Sequence, residues 1–147
     1  MKNKLIILYC CVLLISCGTT GKIELYKYAT SKEVLERELR YVIEKNSIHS
    51  IPSKWVEIYQ NQGSIEYWYV YFPSSPEEMY KISFPNIDEG KMSNHCYLAL
   101  IGSFNGDEWR FRKELSSNEL TRIKRRFENE ILDQLGYEYS KTIFIFI

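Results

Sequence analysis

His95-Cys96-Tyr97-Leu98-Ala99-Leu100-Ile101-Gly102-Ser103-Phe104 leads through Asn105-Gly106-Asp107 into Glu108-Trp109-Arg110-Phe111-Arg112-Lys113-Glu114-Leu115. Asn-Gly between two strand-like runs is the strongest short signal for a β-hairpin. The first arm is apolar on both faces, whereas the second alternates Trp109 and Phe111 against Glu108, Arg110 and Arg112. A strand apolar on both sides belongs inside a covered sheet. An alternating strand suits an edge with one wet face.

The elements downstream supply cover for that sheet. Ser116 and Glu119 match a capping box, and Leu120, Ile123, Phe127, Ile131 and Leu135 then fall on one helical stripe closed by Gly136. Tyr137 to Ile147 reads as a final buried strand ending Ile143-Phe144-Ile145-Phe146-Ile147.

Upstream, Lys22 to Tyr28 has strand alternation, and Thr30 with Glu33 matches a capping box. That box opens a helix to about Lys45 with Leu35, Leu39, Val42 and Ile43 on one face. Lys54 to Gln60 and Ser64 to Phe72 read as strands joined by Asn61-Gln62-Gly63, the second apolar or aromatic on both sides and therefore central. Met79 to Phe84 is a further short strand. The sum is an α+β domain with the order β-α-β-β-β-β-β-α-β. Its sheet is mixed but mainly antiparallel, of about six to seven strands, with one helix expected on each face.

The amino-terminal stretch carries a different kind of information. Lys2 and Lys4 precede an apolar run from Leu5 to Ile15, too short to span a bilayer core of about 30 Å and suited to a secretory signal. It exits through Leu14-Ile15-Ser16-Cys17, which resembles the lipobox of bacterial lipoproteins. The resemblance covers residues 1–17 only. It implies cleavage after Ser16, a diacylglyceryl group on the Cys17 sulfur and acylation of the new amino terminus. Several acyl chains at about 0.8 kcal/mol per buried CH₂ give stable anchoring, where one would be marginal. In the best-known Gram-negative sorting system an Asp after the cysteine retains lipoproteins at the inner membrane. Gly18 stands there instead, so the resemblance points to the outer membrane, facing the periplasm. The expected organisation is a signal peptide at 1–16, a lipidated cysteine and short tether at 17–21, and one domain at 22–147. Four extended residues after Cys17 reach only about 14 Å, which keeps the domain close to the membrane.

Composition narrows the partners. Lys2 and Lys4 leave with the signal, so 17 basic side chains face 19 acidic ones. Near neutrality argues against nucleic acid. Cys10 and Cys11 also leave and Cys17 carries lipid, so Cys96 alone remains in the domain and no internal disulfide can form.

Catalytic patterns are scarce. No nucleophile elbow, Ser-x-x-Lys pair or His-Glu-x-x-His occurs, and His49 and His95 have no second ligand at metal spacing, so neither cofactor nor metal is expected. Asp88, Glu89 and Asn94 with His95 form the most polar loop cluster, where a site of scattered residues would lie. The aromatic hairpin bearing Trp55, Tyr59, Tyr67, Trp68, Tyr69 and Tyr71 is the candidate binding surface, weighed against an aromatic core. A third feature is charge order. Seven basic residues lie between Arg110 and Arg126, and acids alone follow from Glu128 to Glu138, against the helix dipole. The sequence thus points to a non-enzymatic, lipid-anchored envelope protein with a protein partner, of accessory or immunity type. The alternative is a small-ligand or glycan binder using the hairpin over 54–72.

Overall fold

The computed structural model describes residues 21–45, 47–60, 67–87 and 94–142. Among these residues lie six strands, β1 (Glu24–Tyr28), β2 (Trp68–Phe72), β3 (Glu78–Ser83), β4 (Cys96–Phe104), β5 (Trp109–Phe111) and β6 (Tyr139–Lys141). They form one sheet in the order β2-β3-β4-β1-β6, with β5 also paired to β4. Three α-helices accompany it among the described residues: α1 (Lys32–Lys45), α2 (Val56–Gln60) and α3 (Ser117–Glu130). The α+β class is as the sequence indicates, and every described pairing is antiparallel.

The first arm of the Asn-Gly hairpin, β4, is the centre of the sheet. One edge of β4 pairs with β1 over Cys96–Leu100 and with β5 over Gly102–Phe104, while its other edge pairs with β3. Opposite β3 the register slips between Lys81 and Ile82, so that Ile82 faces Leu100 and Lys81 faces Gly102. A one-residue bulge turns later side chains to the other face. Leu98 and Leu100 therefore join the main core, and Phe104 joins a second cluster with Met79. Gly102 allows a close approach here: a Cβ would lie 3.1 Å from the Phe111 ring and 3.2 Å from the Arg110 carbonyl oxygen, so those neighbours would have to give by a few tenths of an ångström.

Both long helices pack on the same sheet face. Leu35, Leu39 and Val42 of α1 and Ile123 and Phe127 of α3 share one cluster with Tyr26, Tyr80, Leu98 and Leu100. This corrects the expectation of one long helix on each side. The reason lies in the strands: that face offers an unbroken set of large apolar side chains from β1, β3 and β4, whereas the other mixes Leu25, Tyr97 and Met79 with Lys27, Lys81 and Ala99 along the same strands. Cover for the second face comes from short elements. Trp55 and Ile58, with Ile51, pack there against Met79, Phe104, Tyr71 and Trp109.

Those short elements are a second correction. Lys54 to Gln60 is not a strand but a 3₁₀ turn at Ser53–Trp55 running into α2. Pro52 sets its start, with φ −66°, and a short apolar run fits either period. The expected hairpin with Ser64–Phe72 does not form; β2 pairs with β3 instead, and Asn61-Gln62-Gly63 lies outside the described residues. Among the described strands β2 also lies at the edge of the sheet and not at its centre. Its two apolar faces reflect two clusters, with Phe72 in one and Tyr71 against the other.

The helix starts are nearly as read. Ser116 accepts from the Glu119 N–H, and Glu119 accepts in return from the Ser116 N–H at 2.9 Å, completing the capping box of α3. In α1 the cap is one residue later than expected, for the Ser31 hydroxyl, not Thr30, accepts from the Val34 N–H at 3.4 Å. Gly136 takes φ +71° after the turn that ends α3. β6 covers Tyr139–Lys141; the rest of the terminal strand, 143–147, lies outside the described residues, as do Cys17 and the tether over 17–20.

Candidate binding surfaces

The aromatic candidates divide between the two faces. Trp55 is 6% exposed, with its ring set edge-on to Tyr71 at 5.3 Å and to Phe104 at 5.2 Å. It is core, held by T-shaped contacts that add to its area burial. The Tyr71 hydroxyl donates to Glu77, which also pairs with Lys54 at 2.8 Å. That bond to a carboxylate pushes the phenol up to about 12. Trp68 lies on the helix side, set edge-on to Phe84 at 5.9 Å and under the Arg40 guanidinium at 4.8 Å. Tyr59 is in α2, and its side chain is outside the described set.

Tyr67 and Tyr69 remain together on the second face. Tyr69 lies 5.8 Å from Trp109, and Lys81 sits with its Nζ 3.9 Å from the Tyr67 ring centre and 5.7 Å from that of Trp109. Burial lowers the Lys81 pKa. The rings and the lysine stem cover one another, a cation–π arrangement that closes this part of the sheet.

The polar loop cluster is only partly described. Asp88 and Glu89 lie outside the described residues, while His95 stands 6.0 Å from the Tyr97 ring. The neighbouring Cys96 points into the main core, and burial pushes its thiol up to about 11. A protonated thiol is a poor nucleophile. A cavity of about 330 Å³ opens here between His95, Tyr97, Glu33 and Phe84. His49 is buried against Phe72 with its Nδ1 2.8 Å from the Tyr71 carbonyl, a structural placement. Among the described residues no group of three His, Cys, Asp or Glu side chains could hold a metal.

The charge order of α3 finds its explanation in tertiary pairing. Glu78, at the start of β3, is 4% exposed and accepts from Arg122 Nη1 and Nη2, from Arg126 Nη1 at 3.4 Å and from the Tyr80 hydroxyl at 3.0 Å. Further along, Lys124 pairs with Glu24 at 3.1 Å, and Glu128 takes both Lys141 and the Tyr26 hydroxyl. Arg110 and Arg112 are committed as well, to Glu119 at 2.6 Å and to the Ile23 carbonyl at 2.7 Å. Most of the basic run is therefore internal wiring.

Arg125 stands apart. It is exposed, and no described ion pair engages it. It lines a groove of about 610 Å³ between α3 and the Ser74–Pro76 turn, with Asn118, Thr121 and Asn129 on the same helix stripe. Arg126 fixes the opposite wall through the carbonyls of Ser74 at 2.9 Å and Pro76 at 2.6 Å. The basic run is visible in the sequence, whereas the groove forms only in the fold. The signal was present as polar residues at 118, 121, 125 and 129, spaced to share one face. No protein-family model matches the chain, and no curated protein or solved structure shows significant similarity to it.

Proposed function

We propose that this chain is a lipid-anchored cell-envelope protein that acts without catalysis, by binding another protein close to the membrane. The observation that carries the reading is Leu14-Ile15-Ser16-Cys17 at the end of a short apolar run. The start of the domain is consistent with close anchoring. Ile23 is fastened on both sides, its N–H to the Leu100 carbonyl and its carbonyl to Arg112, each at 2.7 Å. Six residues from Cys17 span at most about 20 Å, so a lipid on that sulfur would hold this end of the sheet near the bilayer. The accessory and immunity roles both fit such placement, on the outer membrane facing the periplasm.

Support for a non-catalytic role comes from what the titratable groups already do. Glu78, Glu119 and Glu128 hold helix to sheet or helix to cap, and the Cys96 thiol is turned inward. The ligand-binding alternative contracts to Tyr67, Tyr69 and Trp109 around Lys81, because Trp55 is core and Trp68 is on the other face.

Fractionation of cells expressing the native chain and Cys17→Ser tests the anchor. The native protein should incorporate labelled palmitate and sediment with membranes, and the variant should do neither. A variant that still sediments and carries lipid would overturn it. Affinity purification of the lipidated protein then tests the binding role, with one stoichiometric envelope protein as the expected result.

A further inference from the structure

We propose that the groove between α3 and the Ser74–Pro76 turn binds an extended acidic segment of the protein partner, with Arg125 receiving its carboxylate. The inference rests on the protein-binding reading above and names the site and the partner's chemistry.

Length is the first argument. Asn118 and Asn129 mark the ends of the helix stripe that lines the groove, and eleven residues at 1.5 Å each separate them by about 16 Å. An extended chain at about 3.3 Å per residue needs roughly five residues to cover that distance. Side-chain amides at the two ends each offer a donor and an acceptor, the pairing that a peptide backbone requires. Between them the Thr121 hydroxyl donates its proton to the Ser117 carbonyl, at 2.9 Å, and keeps its lone pairs for an incoming N–H.

Charge is the second. Within the groove, Arg122 and Arg126 are offset by Glu78 and Glu130, at 2.6 and 3.2 Å. Arg125 is left as the surplus cation among the described residues of this site. Its planar fork suits a carboxylate held by two parallel hydrogen bonds. A free small anion would meet one exposed guanidinium only, a weak contact in water. A segment that also pairs with both asparagines gains from three points at once.

Rigidity is the third. The turn wall is tied to α3 by the Arg126 bonds to Ser74 and Pro76, and α3 is tied to β3 by Glu78. A preformed groove spares the ordering cost that binding would otherwise incur.

The experiment places a photocrosslinking amino acid at Thr121 in the full-length lipidated protein, with the same residue at Glu38 on α1 as a control. Crosslinks formed in cells are mapped by mass spectrometry. The expected product joins position 121, and not position 38, to a segment of one protein containing Asp or Glu. A synthetic peptide of that segment should bind the native chain, and Arg125→Glu should weaken it by about tenfold, the effect of losing a charge-assisted pair. Arg125→Lys should retain part of the affinity. Because Arg125 is exposed and outside the ion-pair network, neither variant should change thermal stability, which separates lost binding from lost fold. If a partner copurifies but position 121 yields no crosslink, or yields a neutral segment or lipid, the groove assignment is wrong while the protein-binding reading stands. If no partner is found by either route, both are wrong.

Discussion

The guanidinium of Arg122 grips the carboxylate of Glu78 with both terminal nitrogens, at 2.6 and 2.7 Å, across a sequence separation of 44 residues. One residue is in the outer helix and the other begins a strand beneath it. The pair is satisfied on every side, since Arg126 and the Tyr80 hydroxyl also reach the carboxylate. Such satisfaction is what lets a charge lie buried at all. The basic-then-acidic order of α3, unfavourable within an isolated helix, is chosen by contacts with β3, β1 and β6.

Glu78→Gln should therefore be among the most damaging single changes to stability. It leaves Arg122 and Arg126 facing a neutral amide, and breaking a buried pair in this way costs about 3 kcal/mol. Urea titration followed by far-UV circular dichroism measures it. Arg125→Gln, three residues from Arg122, is the control and should leave the midpoint unchanged.

Acid should act late at the start of α3. The Arg110 guanidinium, with the Ser116 hydroxyl and N–H, holds the Glu119 carboxyl down to about 2. A carboxyl whose pKa is depressed in the folded state contributes stability above its unfolded value, near 4.3, and loses it as pH falls through the folded value. The capping box should thus survive at pH 4 and fail between pH 4 and 2. The Glu119 carboxyl carbon resonance, followed by NMR, should titrate with a midpoint near 2; a midpoint above 4 would show the pair with Arg110 is not formed in solution. Glu119→Gln should remove this acid dependence.

Much of the fold could be read in advance because local rules and tertiary contacts agreed. Asn105-Gly106 made its turn, Ser116 and Glu119 capped their helix, and the stripe from Ile123 to Ile131 is buried. Failures fell where two periods fit one run or where partners were distant. Trp55 and Ile58 lie three apart, as a helix needs, in a run that alternates acceptably as well. Helix placement depended on which face carried Lys81 and Ala99, and that depends on a bulge no local pattern marks. The aromatic candidates divide between two faces for a related reason: side chains two apart on β2 share a face, and Trp68 belongs to the other side. The groove was hidden because its opposite wall, Ser74–Pro76, comes from 42 or more residues upstream of Asn118.

The thiol of Cys96 should be silent in the folded protein. Burial, with lesser contributions from Glu33 and Glu36, pushes it up to about 11. A thiol raised in this way favours the neutral form, so its contribution to stability holds below the unfolded value near 8.5 and declines as pH rises above it. At pH 8 a disulfide reagent should label Cys96 only at the rate of unfolding, and promptly once urea is added. Fast labelling in buffer that peptide mapping assigns to Cys96 would place the thiol at the surface instead.

Trp55 and Trp68 separate core from platform most directly. Trp55 is 6% exposed and wedged between Tyr71 and Phe104, so Trp55→Ala opens a cavity beneath Met79 and should cost about 4 kcal/mol. Trp68 is half-buried at an edge strand, where truncation loses part of its area and its contact with Arg40, about 2 kcal/mol or less. Thermal melts of the two variants should fall in that order. If the aromatic residues were a ligand platform, Trp55→Ala would instead leave the melt unchanged, because a platform ring is supported from below and adds little to the core. The same comparison bears on the second face as a whole. Met79 and Phe104 share a cluster with Trp55, so losing Trp55 should also expose them to a hydrophobic dye, whereas losing Trp68 should not.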